Sequence, residues 1–291
     1  MTSLPPLQIT NLSKSFQQKR KLGSVHAVSD ISFTVNAGEI VGFIGHNGAG
    51  KTTTIKCALG LLKPTSGEVT LWGNKPASPK VRKRLGYIPE NPDYDDSFSP
   101  MEYLSMFSQM RGIEGDTTIW KNLLKRVGLE NWENTIIRQF SKGMKQRMSL
   151  ALALQSTPDL LILDEPTGGL DPIARKEFRD IILEENKRGA TIFLSSHILS
   201  EVETLCNNAV ILVKGKLMAS GSLQELLGEE HQYKIVFIHR KTGEEIEELV
   251  PETVLQERID ALRQDNIQIT NVHLALKSLE DVFLSKTEGE K

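Results

Sequence analysis

Residues 45–52 read Gly45, His46, Asn47, Gly48, Ala49, Gly50, Lys51 and Thr52, which is the G-x-x-x-x-G-K-[ST] spacing of a phosphate-binding loop. Its glycines let backbone N–H groups turn inward around phosphate oxygens. Lys51 supplies a positive charge, and the Thr52 hydroxyl supplies a ligand for Mg²⁺. The apolar run 39–44 predicts a buried strand before the loop, and Thr53 continues into a predicted helix whose positive end faces the phosphates. Residues 45–53 therefore predict an ATP or GTP site rather than a plain glycine-rich turn.

Composition and charge limit the class of protein. The 291 residues carry 35 Lys and Arg against 37 Asp and Glu, a formal net charge of −2. Without an overall basic field, no nucleic acid partner is expected. Apolar runs stay short of the ~18 residues that cross a bilayer, and Met1 to Thr10 lacks the segments of a secretory signal. We therefore expect a cytoplasmic protein, with Cys57 and Cys206 as buried, reduced thiols rather than a disulfide.

Periodicity along the chain predicts an α/β fold. Alternating residues from Leu7 to Val35 predict antiparallel strands joined by a long basic loop at 17–23. Short strands are expected at 85–90, 160–164 and 190–197, and a hairpin at 209–221 turned at Lys214-Gly215. Helical patterns cover 101–111, 119–127, a stretch from Ser141 onward, and 174–187.

A change in composition after Gly221 predicts a domain boundary there. Acidic clusters appear beyond it and glycine-rich turns become fewer. Strands at 233–238 and 267–274 around a helix at 253–264 predict a small α+β appendage over 222–291. Ser278 and Asp281 have the spacing of a capping box that begins a terminal helix.

Two carboxylates end the apolar run 160–163. Asp164 stands at the carboxyl end of a predicted parallel strand, so its carboxylate can hold Mg²⁺ or a water bound to it. Alternation along the strand is expected to turn Glu165 to the other side of the strand exit, from which it can polarise the water that attacks a γ-phosphate. Alone, this pair is equally typical of a solvated turn, but the phosphate loop upstream favours the catalytic interpretation.

Residues 140–147 provide the motif that points to a family. Phe140-Ser141-Lys142-Gly143-Met144 resembles the signature of ATP-binding cassette (ABC) ATPases, Leu-Ser-Gly-Gly-Gln, and a basic stretch follows it here as in the family. Ser141 can cap the next helix and, with the Gly143 amide, offer an anion site that the chain's own phosphate loop does not need. Met144 cannot reproduce the polar contacts of Gln. Taken alone, the segment also fits an ordinary capped helix.

The resemblance assigns roles to further residues. Phe16 takes the place of the aromatic that stacks on adenine, although a lone Phe also fits a core position. Glu90 takes the glutamine-loop place, where a carboxylate can ligate Mg²⁺ or its water while adding negative charge. Asp171 matches the loop that crosses the dimer interface and can also cap the next helix. His197 matches the switch histidine that contacts the γ-phosphate, with a core or surface histidine as the alternative.

The fold that the resemblance implies is a P-loop NTPase core with an antiparallel β subdomain and an α-helical subdomain. It makes residues 1–221 a nucleotide-binding domain, with the helical subdomain at about 91–155, and leaves 222–291 as the accessory appendage. Its ligands are ATP and Mg²⁺, with Thr52, Glu90 and Asp164 around the metal and Glu165 and His197 as catalytic residues. Phe16, Ser141, Gly143 and Asp171 join residues 45–53 in binding nucleotide.

The function that the resemblance implies is ATP hydrolysis in an ABC transporter. Two cassettes, either two copies in a head-to-tail homodimer or this chain with a similar cassette, close on ATP and reopen after hydrolysis. That cycle drives export by a separate integral membrane permease, whose cytosolic helix docks near Glu90 and the helical stretch after it. The chain is then peripheral on the cytosolic face of the membrane. The segments 87–90, 140–144 and 278–284 in combination resemble bacterial exporter-type cassettes associated with drug, lipid or ion efflux.

Three other functions compete with this interpretation. A non-transport ABC ATPase acting on ribosomes or DNA commonly carries two cassettes or a long coiled-coil insertion, and this sequence shows neither. A GTPase or kinase with the same phosphate loop does not explain residues 141–147, Asp171 and His197. A catalytically silent regulatory cassette is disfavoured because Lys51, Asp164, Glu165 and His197 are all present.

Overall fold

The structure is a computed structural model that describes residues 4–17, 24–113, 115–228, 232–239, 242–275 and 278–288. Residues 18–23, where most of the basic loop is expected, lie outside the described residues. The chain divides into two compact units, Met1–Gly221 and Ser222–Lys291.

The first unit is built from two sheets. One has the order β2-β1-β4, and the other has the order β5-β6-β7-β3-β8-β9. In chain order, their strands are β1 (Leu7–Gln17), β2 (Ser24–Val35), β3 (Ile40–Ile44), β4 (Ser66–Thr70), β5 (Leu85–Ile88), β6 (Leu160–Asp164), β7 (Thr191–Ser196), β8 (Asn208–Val213) and β9 (Lys216–Ser222).

Pairing within these sheets follows the predictions made from periodicity. β1 pairs antiparallel with β2 and with β4, so the antiparallel strands predicted over Leu7–Val35 are confirmed. β3, β5, β6, β7 and β8 pair in parallel. The strands β3, β6 and β7 are buried along their whole length, which explains why apolar residues predominate in them. Lys214 and Gly215 both have positive φ and turn β8 into β9, as predicted.

An aromatic cluster packs the two sheets of this unit against each other. The rings of Phe33 on β2, Phe43 on β3 and Phe193 on β7 lie with centroids 5.3 to 5.8 Å apart. Phe43 and Phe193 are fully buried. Since aromatic rings bury large areas and pack in tilted pairs, this cluster fixes β3 and β7, the strands that lead into residues 45–52 and His197.

Helices lie between and after the strands. Those predicted at 101–111, 119–127, 174–187 and from Ser141 are confirmed, and Ser99, Asp116, Ser141 and Asp171 cap them with side-chain oxygens. The short helices α2 and α7 were not predicted from the sequence. The helices of the first unit are α1 (Lys51–Ala58), α2 (Pro79–Lys83), α3 (Pro100–Arg111), α4 (Thr117–Arg126), α5 (Lys142–Leu154), α6 (Pro172–Lys187) and α7 (Leu199–Leu205).

The second unit has its own sheet and core. The sheet has the order β11-β10-β12 and is antiparallel. Ile235, Phe237, Val250 and Leu262 form the core, so α9 covers one face of the sheet. The capping box of Ser278 and Asp281 is confirmed by reciprocal hydrogen bonds. Its elements are α8 (Leu223–Leu227), β10 (Gln232–Ile238), β11 (Glu245–Pro251), α9 (Glu252–Gln264), β12 (Ile269–Ala275) and α10 (Leu279–Glu288).

Strand β11 was missed in the sequence because its acidic residues resemble a solvated loop.

Among the residues that the structure describes, every helix is too short or too polar to cross a bilayer.

Candidate active site

The order of the parallel strands gathers the candidate site. β7 lies between β6 and β3, and its Ser195 is in register with Asp164 on one side and Phe43 on the other. The carboxyl ends of parallel strands lie at the same edge of a sheet, where α/β proteins bind ligands. The loop after β3, the acidic end of β6 and the histidine after β7 therefore converge there.

The loop after β3 depends on two glycines. Gly48 and Gly50 have φ of 82° and 107°, a region that side chains disfavour. At Gly50 a Cβ atom would also lie 2.5 Å from the carbonyl oxygen of Ala27. The chain then enters α1 at Lys51, so the N-terminal end of that helix and its free N–H groups face the site.

Lys51 is buried within the loop that it serves. Its Nζ donates a hydrogen bond to the Gly45 carbonyl at 2.6 Å and lies 3.1 Å from Glu165 Oε1. Only 6% of the residue is exposed. Burial of a charge is costly unless it is paired, and here a carbonyl and a carboxylate pair it.

Asp164 is held by two hydroxyl groups. Its Oδ1 accepts hydrogen bonds from Ser195 Oγ at 2.7 Å and from Thr52 Oγ1 at 3.3 Å. Burial raises the pKa of the Asp164 carboxyl above its ordinary value, the two hydrogen bonds oppose the rise, and the nearby Glu90 and Glu165 add to it. A divalent cation beside Asp164 would favour its charged form, so this cluster of oxygen ligands suits a hard cation.

Glu165 turns toward the same side as Asp164, so the expectation that alternation would separate them was wrong. Glu165 has a φ of 48°, which places it in the left-handed region and ends the alternation of the strand. Its backbone N–H donates to Ser195 Oγ at 2.9 Å. Both carboxylates consequently contact the start of α1, Asp164 through Thr52 and Glu165 through Lys51.

His197 contacts the second oxygen of Glu165. Its Nδ1 lies 2.7 Å from Glu165 Oε2, and 51% of the histidine side chain is exposed against 11% for the glutamate. His197 follows the end of β7 directly. The imidazole therefore presents its other edge to the cavity while Glu165 holds the ring in place.

A cavity of about 480 Å³ joins most of these residues. Gly45 and Ala49 belong to the loop but do not line the cavity, and Asp164 is connected to the cavity by its hydrogen bond with Thr52. The predicted site residues that line it are His46, Asn47, Gly48, Gly50, Lys51, Thr52, Thr53, Glu90, Glu165 and His197.

Besides Gly45, Ala49 and Asp164, four predicted site residues lie outside the lining of this cavity. Ser141 caps α5 by accepting a hydrogen bond from the Met144 N–H, and Gly143 lies in the first turn of that helix. Asp171 caps α6 by accepting one from the Ala174 N–H at 2.8 Å. Phe16 is 41% exposed on β1, with Lys14 Nζ 5.2 Å from its ring centroid. None of the four lines the cavity formed by the phosphate loop.

The sequence interpretation missed several residues. Ser195 contacts both Asp164 and Glu165, and the only signal for it was the pair of serines before His197. Lys142 lines the cavity from the start of α5. Ala27, Gly168 and Gly169 complete the lining, and they become neighbours of the loop only through the fold.

Comparison with known proteins agrees with this geometry. A family profile described as ABC transporter matches residues 28–168. An uncharacterised ABC transporter ATP-binding protein of Synechocystis sp. is 37% identical over 280 residues, covering 89% of this chain and 78% of that protein. The chain belongs to the ABC transporter family.

Other members of the ABC transporter family include transport and export proteins. The bacitracin transport ATP-binding protein of Bacillus licheniformis is 40% identical, covering 78% of this chain and 73% of that protein. A fluoroquinolones export ATP-binding protein of Mycobacterium tuberculosis is 34% identical, covering 90% and 87%. A solved ATP-binding subunit of an ABC transporter has a TM-score of 0.71 and 28% identity, covering 97% of this chain and 99% of that one.

This membership confirms the predicted fold class and activity. The chain is an ATP-binding subunit of an ABC transporter and an ATP hydrolase. Transport is accordingly favoured over action on ribosomes or DNA.

Proposed function

We propose that this chain drives an exporter by closing on ATP as one of a pair of cassettes and reopening after hydrolysis. The observation that carries the proposal is the contact chain Lys51–Glu165–His197 beside Asp164, at the mouth of the phosphate loop. It supports the proposal because Lys51, Glu165 and His197 line one cavity, where they could serve as a phosphate-binding cation, a base and a polar group that contacts phosphate. The relatives named for transport and export of antibiotics support the direction of transport.

The residues around Asp164 fit Mg²⁺. The structure holds no group of three or more His, Cys, Asp or Glu side chains that could bind a metal, in the part of the chain that it describes. Mg²⁺ commonly uses one or two protein oxygens together with waters and substrate phosphates, so a small set suffices. We assign Thr52 and Asp164 as its ligands, with Glu90 at the cavity wall beside them. When bound, the ion neutralises charge on the phosphates.

Glu165 is the proposed general base. Its carboxylate accepts the proton of the water that attacks the γ-phosphate, and the neighbouring His197 contacts the phosphate oxygens. Lys51 and the N–H groups at the start of α1 hold the phosphates in place. Positioning and charge stabilisation account for most of catalysis in phosphoryl transfer.

A pair of chains completes the site in this proposal. Ser141 and Gly143 lie outside the cavity of their own chain but occupy the start of α5, where a helix N-terminus attracts anions. We assign them to the nucleotide of a second copy, or of a similar cassette, with Asp171 at the same interface. Phe16 is assigned to stacking on adenine, which its exposed ring permits.

A groove on the first unit is the proposed docking place for the permease. It has a volume of about 660 Å³ and lies between β5 with the loop after it and helices α3 and α5. Tyr87, Pro89, Tyr94, Phe107 and Met110 give it an apolar lining next to Glu90. An amphipathic cytosolic helix of a membrane partner can bury its apolar face in such a groove. The chain would then be peripheral on the cytosolic face.

Glu165→Gln tests the proposal directly, because glutamine keeps the shape of the side chain but cannot accept the proton. The variant should bind ATP as the wild type does, lose turnover, and accumulate as an ATP-dependent dimer in size-exclusion chromatography. Lys51→Ala, its counterpart, should lose ATP affinity and form no such dimer. Hydrolysis at the wild-type rate by Glu165→Gln would remove Glu165 from its role. A chain that hydrolyses ATP but remains monomeric at every ATP concentration would refute the proposed pairing of two cassettes.

A further inference from the structure

The segments that follow β6 and β7 are joined at two places. On the side of the nucleotide cavity, Glu165 Oε2 contacts His197 Nδ1 at 2.7 Å. Away from that cavity, Glu201 Oε2 accepts a hydrogen bond from Thr167 Oγ1 at 2.6 Å. Glu201 lies in the first turn of α7, the short helix that begins just after His197. The same two segments are therefore linked twice, and the role of the second link has not been assigned above.

The second link lies on the opposite face of the sheet. Successive side chains of a strand point to opposite faces, so Leu163 and Leu194 point away from the side to which Asp164 and Ser195 point. Leu163 and Leu194 line a separate cavity of about 360 Å³, together with both residues of the second link. This cavity shares no lining residue with the nucleotide cavity. The contact is consequently out of reach of the nucleotide.

Arg175 in the first turn of α6 is the third member of this cluster. Its Nε donates a hydrogen bond to the Leu170 carbonyl at 3.0 Å, and its Nη1 lies 3.6 Å from Glu201 Oε1. That oxygen of Glu201 is buried and accepts no hydrogen bond from the residues that the structure describes. A shift of about 0.8 Å would bring the ion pair into hydrogen-bonding distance. The cluster can therefore respond to a small displacement of α7 relative to α6.

Two backbone hydrogen bonds connect residues within the loop between β6 and α6. The Gly168 N–H donates to the Glu165 carbonyl and the Leu170 N–H to the Thr167 carbonyl, each at 3.1 Å. Pro166 and Pro172 at its two ends have fixed φ angles, which limits bending there. A displacement applied at Thr167 is thus carried along the loop toward the cap of α6.

We propose that Glu201 is a positioning residue that couples His197 to the loop 166–171. A shift of His197 when the γ-phosphate is lost moves the start of α7, and Glu201 transmits that shift through Thr167 and Arg175 to Asp171. This role rests on the proposed function, which places Asp171 at the interface of two cassettes. Glu201 itself touches no nucleotide, so it changes turnover and reopening rather than ATP affinity.

Steady-state hydrolysis by the full chain tests the coupling. Glu201→Ala should lower kcat by about tenfold, as expected for a misplaced catalytic loop, while the Kd of a non-hydrolysable ATP analogue changes by less than about twofold. Glu201→Gln keeps an acceptor for the Thr167 hydroxyl and loses the charge that faces Arg175, so its kcat should be intermediate. Asp180→Ala removes an exposed carboxylate from α6 and should leave kcat unchanged.

A second set of variants separates coupling from a merely structural role. Thr167→Val removes the same contact from the other side, so the double variant with Glu201→Ala should be no slower than the slower single variant. In the Glu165→Gln background at saturating ATP, Glu201→Ala should raise the protein concentration needed to form the dimer by about tenfold, because the loop at the interface is no longer held.

Several results would overturn the coupling. Two of them concern Glu201→Ala alone: an unchanged kcat, or a change confined to ATP affinity. A third is that the effects of Glu201→Ala and Thr167→Val multiply in the double variant. A fourth is that Glu201→Ala and Glu201→Gln lose kcat equally and in proportion to a loss of thermal stability. If the proposed function itself is wrong, the result differs, because the wild-type chain would then neither hydrolyse ATP nor form a pair. Failure of the coupling alone leaves wild-type hydrolysis and pairing intact.

Discussion

Ser195→Ala should weaken both the fold and the active site, because one hydroxyl serves two groups. Ser195 is fully buried, donates to Asp164 Oδ1 at 2.7 Å and accepts the Glu165 N–H at 2.9 Å. A hydrogen bond to a charged group contributes about 1.5 to 3 kcal/mol, and a buried donor left without a partner costs about 1 to 3 kcal/mol. Because neighbouring losses do not add fully, the expected cost is about 2 to 4 kcal/mol.

Chemical denaturation and ATP hydrolysis measure the two effects of Ser195→Ala. The free energy of unfolding should fall by that amount, and kcat should fall as well, because Glu165 loses the bond that holds its backbone in a left-handed conformation. Ser196→Ala is the matched control: Ser196 is almost as buried, but within the described part of the chain its hydroxyl bonds only to the backbone of Ile198. A loss below about 1 kcal/mol in Ser195→Ala, or one equal to that of Ser196→Ala with kcat intact, would refute this reasoning.

Three further predictions concern stability and reactivity. Asp164→Asn should raise the Tm at neutral pH while abolishing hydrolysis. Burial raises the pKa of the Asp164 carboxyl in the folded state, so its charged form destabilises the fold. The gain in Tm should therefore shrink as the pH falls through the folded-state pKa toward ~4. Burial also raises the pKa of the Cys57 and Cys206 thiols, so Ellman's reagent at pH 8 should react with them only after denaturant is added, and rapid reaction of the native chain would contradict this. A chain ending at Gly221, where the first unit ends, should fold and bind ATP, with unfolding seen by circular dichroism as the contrary result.

The parts of the fold that the sequence predicts are those with strong local signals. The buried strands β3, β6 and β7 are mostly apolar in sequence. Ser141, Asp171 and Ser278 are capping residues, which indicate where helices begin. The phosphate loop is a contiguous motif whose backbone geometry depends on its own glycines. For these segments, the chemistry of neighbouring residues decides the structure, so the sequence is sufficient.

The remaining features depend on contacts between distant residues. The direction of the Glu165 side chain follows from its positive φ and from Ser195, neither of which strand alternation reveals. Ser195 itself becomes important only because β7 is placed beside β6. The acidic strand β11 is stabilised by pairing with β10, which outweighs its weak intrinsic preference for a strand.

The ion pair between Lys51 and Glu165 has a consequence for the order of events in the cycle. Under the proposed function, an incoming triphosphate carries more negative charge than one carboxylate, so the nucleotide replaces Glu165 as the main counter-charge of the Lys51 ammonium. That exchange releases the base from its counter-charge at the moment when its substrate has been delivered. ATP binding thereby prepares Glu165 to act as the base in the hydrolysis of that same ATP.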